Sequence, residues 1–357
     1  MVIVPVLRSS VLERLGPAVL GSPGTQLLLA RRRATDLDVG LLGPWAGRLI
    51  ERRWLGLAVA VRCARPQVLE VPEPMWFRAW LPTALLLLGL RATGLRPSVV
   101  TYAIENLAPA ESLSTRRAGV PGVLARLVDP GLRALWRVST RLVDEVAFGT
   151  PAARRTWLEA LPRSRSGRVG PVVTESLGPC QHCAPLPRPD REVLFVSELS
   201  ERKGVPDLLT AWPWVAEQRP GWRLVLMGQG PQRSAAGALA DQRDDVRLLP
   251  AASREEVHAA LRRASIVVLP SRRVPGWREQ VGLPILEGLA HGCLIVATTE
   301  SGLADSLTAG GHIVVQPGDP ASLRDGLLLA TSMPPPAPAP GGRDSRRQVE
   351  AWFQRRS

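Results

Sequence analysis

Apolar and polar positions form an alternating series of blocks along the second half of the chain. Continuously apolar runs, predicted to be strands, lie at 193–199, 223–228, 246–250, 265–271, 294–299 and 311–316. Segments with helical spacing separate them, at 208–218, 233–242, 254–264, 283–292 and 320–330. Short apolar strands between amphipathic helices predict a parallel sheet covered on both faces. Right-handed crossovers would make this a doubly wound, Rossmann-like domain, which binds ligands at the carboxyl ends of its strands.

The first half has a similar but less regular pattern. It predicts strands at 2–6, 39–43, 67–71, 98–103 and 145–149, and helices at 9–20, 76–90, 121–140 and 151–161. Thr150 and Pro151 suit the start of the last helix, as a hydroxyl cap followed by proline at the first helical position. The longest apolar run, residues 79–90, fits a buried helix, because a membrane span needs about 20 residues.

The length of 357 residues is too great for one ordinary core and predicts two domains. We place the first at 1–185 and the second at 186–332, joined by a stretch rich in Pro, Gly and Cys at 162–190. A Pro/Gly-rich linker at 333–343 and a basic helix at 344–357 complete the chain.

Positive charge is concentrated in the first half. The formal net charge is +13, of which residues 1–188 carry +12 and residues 189–357 carry +1. This excess is compatible with solvated arginine or with an anionic membrane or glycan partner. Nucleic acid is disfavoured because the basic stretches lack interleaved aromatic residues. Four cysteines and an N-terminus that meets arginine after seven residues indicate a reducing, cytoplasmic location, with peripheral contact at the inner membrane face as an extension of the charge argument.

Lys203 is the single lysine among 45 Lys and Arg residues. It follows a predicted strand and precedes Gly204. A compact ammonium can enter a tight diphosphate pocket that a planar guanidinium would not fit. The alternative is a chance survivor on a solvated turn.

Two glutamates, Glu279 and Glu287, flank the predicted start of a helix at Leu283 and Pro284. Backbone N–H groups around Val281 to Leu283 would point outward at a positive helix terminus, which favours a diphosphate. A carboxylate one turn into the helix can accept hydrogen bonds from ribose hydroxyls. The alternative is that both glutamates only compensate the helix dipole.

The order and spacing of "VLFVSELSERKGV", "LVLMGQGP", "VVLPS" and Glu279…"VGLPILEGLAHG" resembles the donor domain of the retaining glycosyltransferases of family 4. The resemblance covers about residues 192–330 and includes the family's E-x7-E motif. It implies the GT-B fold, in which two Rossmann-like doubly wound parallel-sheet domains face each other across a cleft. It also implies metal-independent, retaining transfer from a nucleotide-diphosphate sugar, without a cofactor.

The resemblance implies a role for each matching position. Lys203 would bind the donor phosphates and Glu279 the transferred sugar, which makes these two the candidate catalytic residues. Glu287 would hold the ribose. Backbone contacts to the nucleotide and diphosphate would come from the remaining matched positions, which are Gly228, Gly230, Val281, Gly282 and Leu283.

The sequence departs from the family pattern at two places. Glu198 stands where a phosphate-binding arginine is usual, and Arg202 is our candidate to supply that charge. The usual N-terminal diglycine loop and reacting-centre histidine are also missing. Glu105 and Asn106, after the predicted strand at 98–103, are candidate acceptor contacts, with an ordinary turn as the alternative.

The segment Cys180-Gln181-His182-Cys183 invites a metal site, but no second ligand pair lies at a useful spacing, so an idle or structural loop is favoured. We therefore expect a hexosyltransferase that acts on a glycan or glycolipid acceptor in cell-envelope polysaccharide or glycolipid synthesis. The alternative is a degenerate relative that binds nucleotide sugar or a partner without turnover, for which Glu198 and the missing histidine are the evidence.

Overall fold

A computed structural model shows two compact units, one formed by residues 1–174 with 344–357 and one by residues 175–343. The structure describes residues 1–4, 27–30, 39–72, 77–107, 130–131, 134, 136–138, 140–160, 169–174, 176–177, 191–249, 253–334 and 345–354. The predicted helix at 9–20 and the Cys180–Cys183 segment lie outside these residues.

The first unit is built on a seven-stranded sheet in the order β3-β2-β1-β4-β5-β6-β7. Its strands are β1 (Val2–Val4), β2 (Leu28–Ala30), β3 (Leu49–Glu51), β4 (Val68–Glu70), β5 (Ser98–Ala103), β6 (Glu145–Phe148) and β7 (Val169–Val172). All neighbouring pairs in this sheet are parallel. The parallel order confirms a Rossmann-like sheet in the first half.

Helical segments with defined ends connect or flank these strands in the described part of residues 1–174. They are a 3₁₀ helix (Val39–Trp45), α1 (Trp54–Ala64), α2 (Phe77–Ala92) and α3 (Pro151–Ala160). Leu57 and Val61 of α1 pack with Leu86 and Leu90 of α2 in one core beneath the sheet. The predicted cap of α3 is also present, because the N–H of Ala153 donates to Thr150 Oγ1 at 3.0 Å.

Several predictions for the first half were wrong. Residues 39–43 form part of the 3₁₀ helix, and the strands at this edge are the three-residue segments β2 and β3, which are too short to give a periodic signal. Strand β7 lies within the stretch predicted as an interdomain connection. Helix α2 is not a buried helix either, since part of its leucine-rich surface is exposed.

The second unit is a six-stranded parallel sheet in the order β10-β9-β8-β11-β12-β13. Its strands are β8 (Glu192–Val196), β9 (Arg223–Met227), β10 (Val246–Leu249), β11 (Ile266–Leu269), β12 (Leu294–Thr298) and β13 (Ile313–Val315). Its α-helices are α4 (Val205–Gln218), α5 (Arg233–Gln242), α6 (Arg254–Arg263), α7 (Leu283–Ala290), α8 (Ala304–Ala309) and α9 (Pro320–Ser332). Apart from α8, which we did not predict, each element matches a predicted one with small shifts at its ends. The doubly wound order is confirmed.

The last helix, α10 (Ser345–Gln354), packs on the first unit. Its Val349 and Phe353 are buried against Val100 of β5 and Ala147 of β6. Among the described helices, none combines the length and apolarity that a membrane crossing requires.

His312, just before β13, gives the second unit a pH-dependent contact. Its Nδ1 accepts a hydrogen bond from the Ile295 N–H at 3.3 Å. Burial lowers the pKa of His312 from its ordinary value of 6.5, because desolvation disfavours the imidazolium. The stability that the neutral ring provides is therefore complete above pH 6.5 and decreases as the pH falls through that value.

We expect a His312→Gln variant to lose less unfolding free energy than the wild type between about pH 7 and about pH 5. Urea unfolding at both pH values measures this difference. Equal losses in the two proteins would contradict a role for neutral His312.

Candidate active site

The candidate site lies where the strand order of the second unit reverses. Connections from β8 run towards β9 and β10, whereas those from β11 run towards β12 and β13. In open parallel sheets this reversal leaves a crevice at the carboxyl ends of the two central strands. Lys203 follows β8, and Ser271 follows β11, so both belong to this edge of the sheet.

Lys203 ends a short 3₁₀ helix (Glu201–Lys203) that joins β8 to α4. The next residue, Gly204, has φ 75°, and a Cβ there would lie 1.8 Å from the carbonyl oxygen of Pro270. Only glycine allows the chain to turn this close to the end of β11. The turn therefore brings the lysine to the crevice between β8 and β11.

Lys203 and Glu279 form a buried ion pair. Nζ of Lys203 donates to Oε2 of Glu279 at 2.6 Å, and their side chains are 11% and 9% exposed. Oγ of Ser271 donates to the same carboxylate oxygen at 2.8 Å. Lys203, which is predicted to bind phosphate, and Glu279, which is predicted to bind sugar, thus lie in direct contact.

Trp277 covers the cations of this site. Its ring lies 5.1 Å from Lys203 Nζ and 4.5 Å from Arg202 Cζ, within the range of cation–π attraction. A short antiparallel backbone bridge between Val274 and Trp277 closes the loop that carries this ring. Trp277 was not among the predicted site residues, although its position two residues before Glu279 was an available signal.

The carboxylate of Glu198, which departs from the family pattern, is paired. Arg202, four positions later in the sequence, donates through Nη2 to Oε2 of Glu198. The negative charge of Glu198 is therefore compensated, and it does not stand alone beside the predicted phosphate site. Whether Arg202 also binds phosphate stays a prediction.

A second ion pair joins the segments that carry Lys203 and Ser271. Arg272 donates through Nε to Asp207 Oδ2 at 2.6 Å and through Nη2 to Oδ1. These hydrogen bonds raise the pKa of Arg272, so its guanidinium stays charged. The N–H of Arg272 also donates to the carbonyl oxygen of Arg202 at 2.9 Å. Together these contacts fix the spacing between the two loops.

Glu287 lies in α7 and is 4% exposed. Its Oε1 accepts a hydrogen bond from Arg254 Nη1 of α6 at 2.6 Å. One turn further along each helix, His258 Nδ1 lies 3.3 Å from His291 Nε2. The Arg254 contact was not foreseen, because the two residues are 33 positions apart and nothing in their local sequence links them.

The residues predicted to make backbone contacts with the donor lie in the loop after β9 and at the start of α7. Gly228 and Gly230 follow β9, and the carbonyl oxygen of the residue between them accepts the Leu199 N–H at 2.8 Å. Gly282 precedes the first residue of α7, and the preceding Val281 is buried. Leu283 begins that helix, so the residues predicted to hold a diphosphate surround a helix N-terminus.

Glu105 and Asn106 follow β5 in the first unit and are buried. Oε1 of Glu105 accepts the N–H groups of Asn106 and Leu107 at 3.1 and 3.0 Å. This carboxylate thus stabilises a turn, which was the alternative to acceptor contact. A role in acceptor binding stays a prediction.

No cluster of three His, Cys, Asp or Glu side chains suited to a metal ion occurs within the described ranges. Cys63 is exposed and Cys293 is buried, and neither forms a disulfide within the described ranges.

Residues 190–331 match the family model described as "Glycosyl transferases group 1". This match confirms the family that was predicted for the second half of the chain. The matched residues include Lys203, Glu279 and Glu287.

Two similar proteins are mannosyltransferases with a phosphatidylinositol lipid in their names. One is a GDP-mannose-dependent monoacylated alpha-(1-6)-phosphatidylinositol monomannoside mannosyltransferase of Corynebacterium glutamicum, 32% identical over 43% of this chain and 41% of its own length. The other is a phosphatidyl-myo-inositol mannosyltransferase of Mycobacterium tuberculosis, 29% identical over 65% of this chain and 61% of its own length. The chain thus matches less than two thirds of either relative.

Solved structures have the same fold over nearly the whole chain. WaaG, "a glycosyltransferase involved in lipopolysaccharide biosynthesis", has a TM-score of 0.61 at 14% identity and covers 98% of this chain and 94% of its own. The "OtsA apo structure" has a TM-score of 0.63 at 14% identity, with 99% and 97% covered. At this identity the likeness shows the fold, which confirms the GT-B prediction.

Proposed function

We propose that this chain, whose residues 190–331 match the "Glycosyl transferases group 1" family model, moves a hexose from a nucleotide-diphosphate sugar to a glycan or glycolipid. The observation that carries the proposal is the buried contact between Lys203 and Glu279 at a strand switch point. A buried ammonium beside a buried carboxylate costs desolvation energy, which is commonly retained where charge is needed for chemistry.

The donor diphosphate is proposed to replace Glu279 as the partner of Lys203. The ammonium and the N-terminal amides of α7 would then stabilise the negative charge that develops on the leaving phosphate. Ser271 would keep Glu279 oriented. The Glu279 carboxylate would position the sugar and support positive charge at C1. Trp277 would shield this region from water.

The proposed transfer breaks the bond between C1 and the phosphate oxygen and forms a bond from C1 to an acceptor hydroxyl oxygen. The hydroxyl proton passes to the departing phosphate, and a nucleoside diphosphate leaves. This front-face route keeps the anomeric configuration. Because Lys203 and the helix N-terminus would supply the positive charge that the departing phosphates need, we propose that neither a metal ion nor a cofactor is required.

Glu287 is proposed to bind the ribose of the donor. A carboxylate has about four lone-pair positions, so hydroxyl groups can bind it while Arg254 donates to Oε1. Arg254 would then hold the carboxylate in one orientation for the sugar.

The acceptor is proposed to be presented at an anionic membrane, with the protein attached peripherally at its inner, cytoplasmic face. The support is the net charge of +12 on residues 1–188 and the phosphatidylinositol lipids in the names of two relatives. Cell-envelope polysaccharide or glycolipid synthesis is the pathway class that this acceptor implies.

We test the proposal by measuring nucleoside diphosphate and free sugar released from a panel of UDP-, GDP- and ADP-sugars, with lipid and polysaccharide extracts as acceptors. Glu279→Gln is expected to lower the rate by about 10²-fold or more. Glu192→Gln is the matched control. Glu192 is also buried in this unit, but it is the first residue of β8 and therefore lies at the amino end of the strand, away from the candidate site. Its rate should stay close to that of the wild type.

Donor binding without release under all these conditions would instead support the degenerate, non-catalytic alternative. Donor-induced stabilisation of the fold detects such binding. Equal rates for Glu279→Gln and Glu192→Gln would contradict the assigned role of Glu279.

A further inference from the structure

Helices α1 and α2 of the first unit expose large aliphatic side chains to solvent. These side chains, here called the aliphatic face, are Leu55, Val59, Leu81, Leu85 and Leu88. Their exposed fractions range from 53% to 86%. Spacings of four residues in α1 and of four and three in α2 place them along one stripe of each helix.

Both helices lie on the same side of the sheet. The connections from β3 to β4 and from β4 to β5 run in the same direction along the strand order, so right-handed crossovers put α1 and α2 on one face. Their buried sides share a core, which includes Leu57 and Leu86. The opposite sides of the two helices therefore form one outward surface.

The remaining exposed large apolar residues in the described ranges are scattered. They are Val138, Leu158, Trp214 and Leu329, each on a different segment. Single exposed apolar residues are ordinary, whereas five on two adjacent helices mark an interaction surface.

Arginines flank the aliphatic face, and acidic residues are absent from both helices. Arg52 and Arg53 precede α1, while Arg62 and Arg91 lie in the last turns of α1 and α2, all four of them exposed. Arginine in a last turn also complements the helix dipole, but that effect does not explain the leucines. An apolar surface with a basic border matches an anionic lipid surface.

A cavity of about 620 Å³ lies at the basic end of α2. Its walls include Leu90 and Leu95, the arginines Arg91 and Arg96, and one acidic residue, Asp144. Oδ2 of Asp144 accepts the Val99 N–H at 2.9 Å, so part of its charge is used within the fold. With two arginines against one carboxylate, this partly apolar wall suits a phosphate-bearing lipid headgroup and the start of its acyl chain.

We propose that the aliphatic face inserts into the headgroup–acyl boundary of a membrane rich in anionic phospholipid. The leucines would enter the apolar layer, and the bordering arginines would contact lipid phosphates. This inference rests on the proposed function for its purpose, which is to bring the enzyme to a membrane-bound acceptor. The binding itself is independent of sugar transfer.

The test is flotation of the full-length protein with vesicles of phosphatidylcholine alone or with about 30% phosphatidylglycerol, without donor or acceptor. The wild type should float only with the anionic vesicles. A Leu55→Gln, Leu85→Gln double variant should lower the partition coefficient by roughly tenfold or more. Leu329→Gln is the matched control, because Leu329 is 54% exposed in the second unit and should leave binding unchanged.

Charge is tested in the same way with Arg62→Gln, which should lower binding roughly fivefold, against Arg247→Gln, an exposed arginine of β10. Absence of wild-type flotation would overturn the proposal. So would equal binding by the double variant and Leu329→Gln. A concentration-dependent dimer that the double variant abolishes, with vesicle binding unchanged, would identify a second copy of the chain as the occupant and also overturn it.

Donor-induced stabilisation, measured without vesicles, separates this inference from the proposed function. The double variant should keep any stabilisation by a nucleotide sugar that the wild type shows. If no nucleotide sugar stabilises the wild type while vesicle binding follows the expected pattern, the transfer proposal fails and the membrane surface stands.

Discussion

Replacing Lys203 by alanine is expected to lower kcat/KM for sugar transfer by about 10³-fold, because it removes the ammonium that would stabilise the leaving phosphate. The change also leaves Glu279 buried without its cation, at a cost of about 3–5 kcal/mol in unfolding free energy. Initial rates and urea unfolding measure these two effects separately. Glu201→Ala is the control within the same 3₁₀ helix, since its side chain is 72% exposed, and it should keep most of the activity.

A double variant distinguishes catalysis from folding. Lys203→Met combined with Glu279→Gln removes both buried charges and should recover much of the stability, because neither charge is then left unpaired. Activity should stay at the level of the single lysine variant. Recovery of activity together with stability would show that the pair serves the fold alone.

Lys203→Arg addresses why lysine occurs only here. The amine lies 2.6 Å from Glu279 and 5.1 Å from the Trp277 ring, so the larger planar guanidinium should not fit without moving the loop. We expect weaker donor binding than in the wild type, detected as a smaller donor-induced rise in Tm. Equal donor binding would contradict this explanation of the lone lysine.

Replacing Gly204 by alanine is expected to destabilise the second unit by about 3 kcal/mol or more. The added Cβ would lie 1.8 Å from the Pro270 carbonyl oxygen, and the residue would also adopt a left-handed backbone at φ 75°. Separating the two segments would relieve the clash, but it would also stretch the contact between Arg202 and Arg272.

Gly311→Ala is the matched control for Gly204→Ala. Gly311 has φ 76°, yet a Cβ there would meet no atom within 4 Å. It should therefore show only the backbone cost of about 1 kcal/mol. Urea unfolding of both variants tests the difference, and equal losses would mean that the approach to Pro270 is readily relaxed.

The elements of the second unit could be predicted because its strands are buried on both faces. Residues 266–269, for example, are all apolar and buried, which gives a run that stands out from the flanking helices. In the first unit, β2 and β3 have three residues each and lie among arginines. Such short segments carry too few positions to show a period, so the strand at 39–43 was predicted in the wrong place.

The site also has a part that could be predicted from sequence motifs and a part that depends on tertiary contacts. Lys203 and Glu279 could be assigned to one site from sequence because their family positions were recognisable together, whereas their direct contact was not predicted. The contact of Arg254 with Glu287, and that of Asp207 with Arg272, depend on which helix faces which loop. With arginine so abundant in the chain, sequence offers many equivalent partners for each carboxylate, and only the fold selects one.

Helix α10 has a consequence for shortened forms of the protein. Since Val349 and Phe353 complete the packing around Val100 and Ala147, a stop codon placed after the second unit would uncover apolar surface on the first. The polypeptide leaves the first unit near residue 174 and returns near residue 344, so the second unit is an insertion within it. A fragment ending at residue 174 would need residues 344–357 supplied as a separate peptide to close its interior.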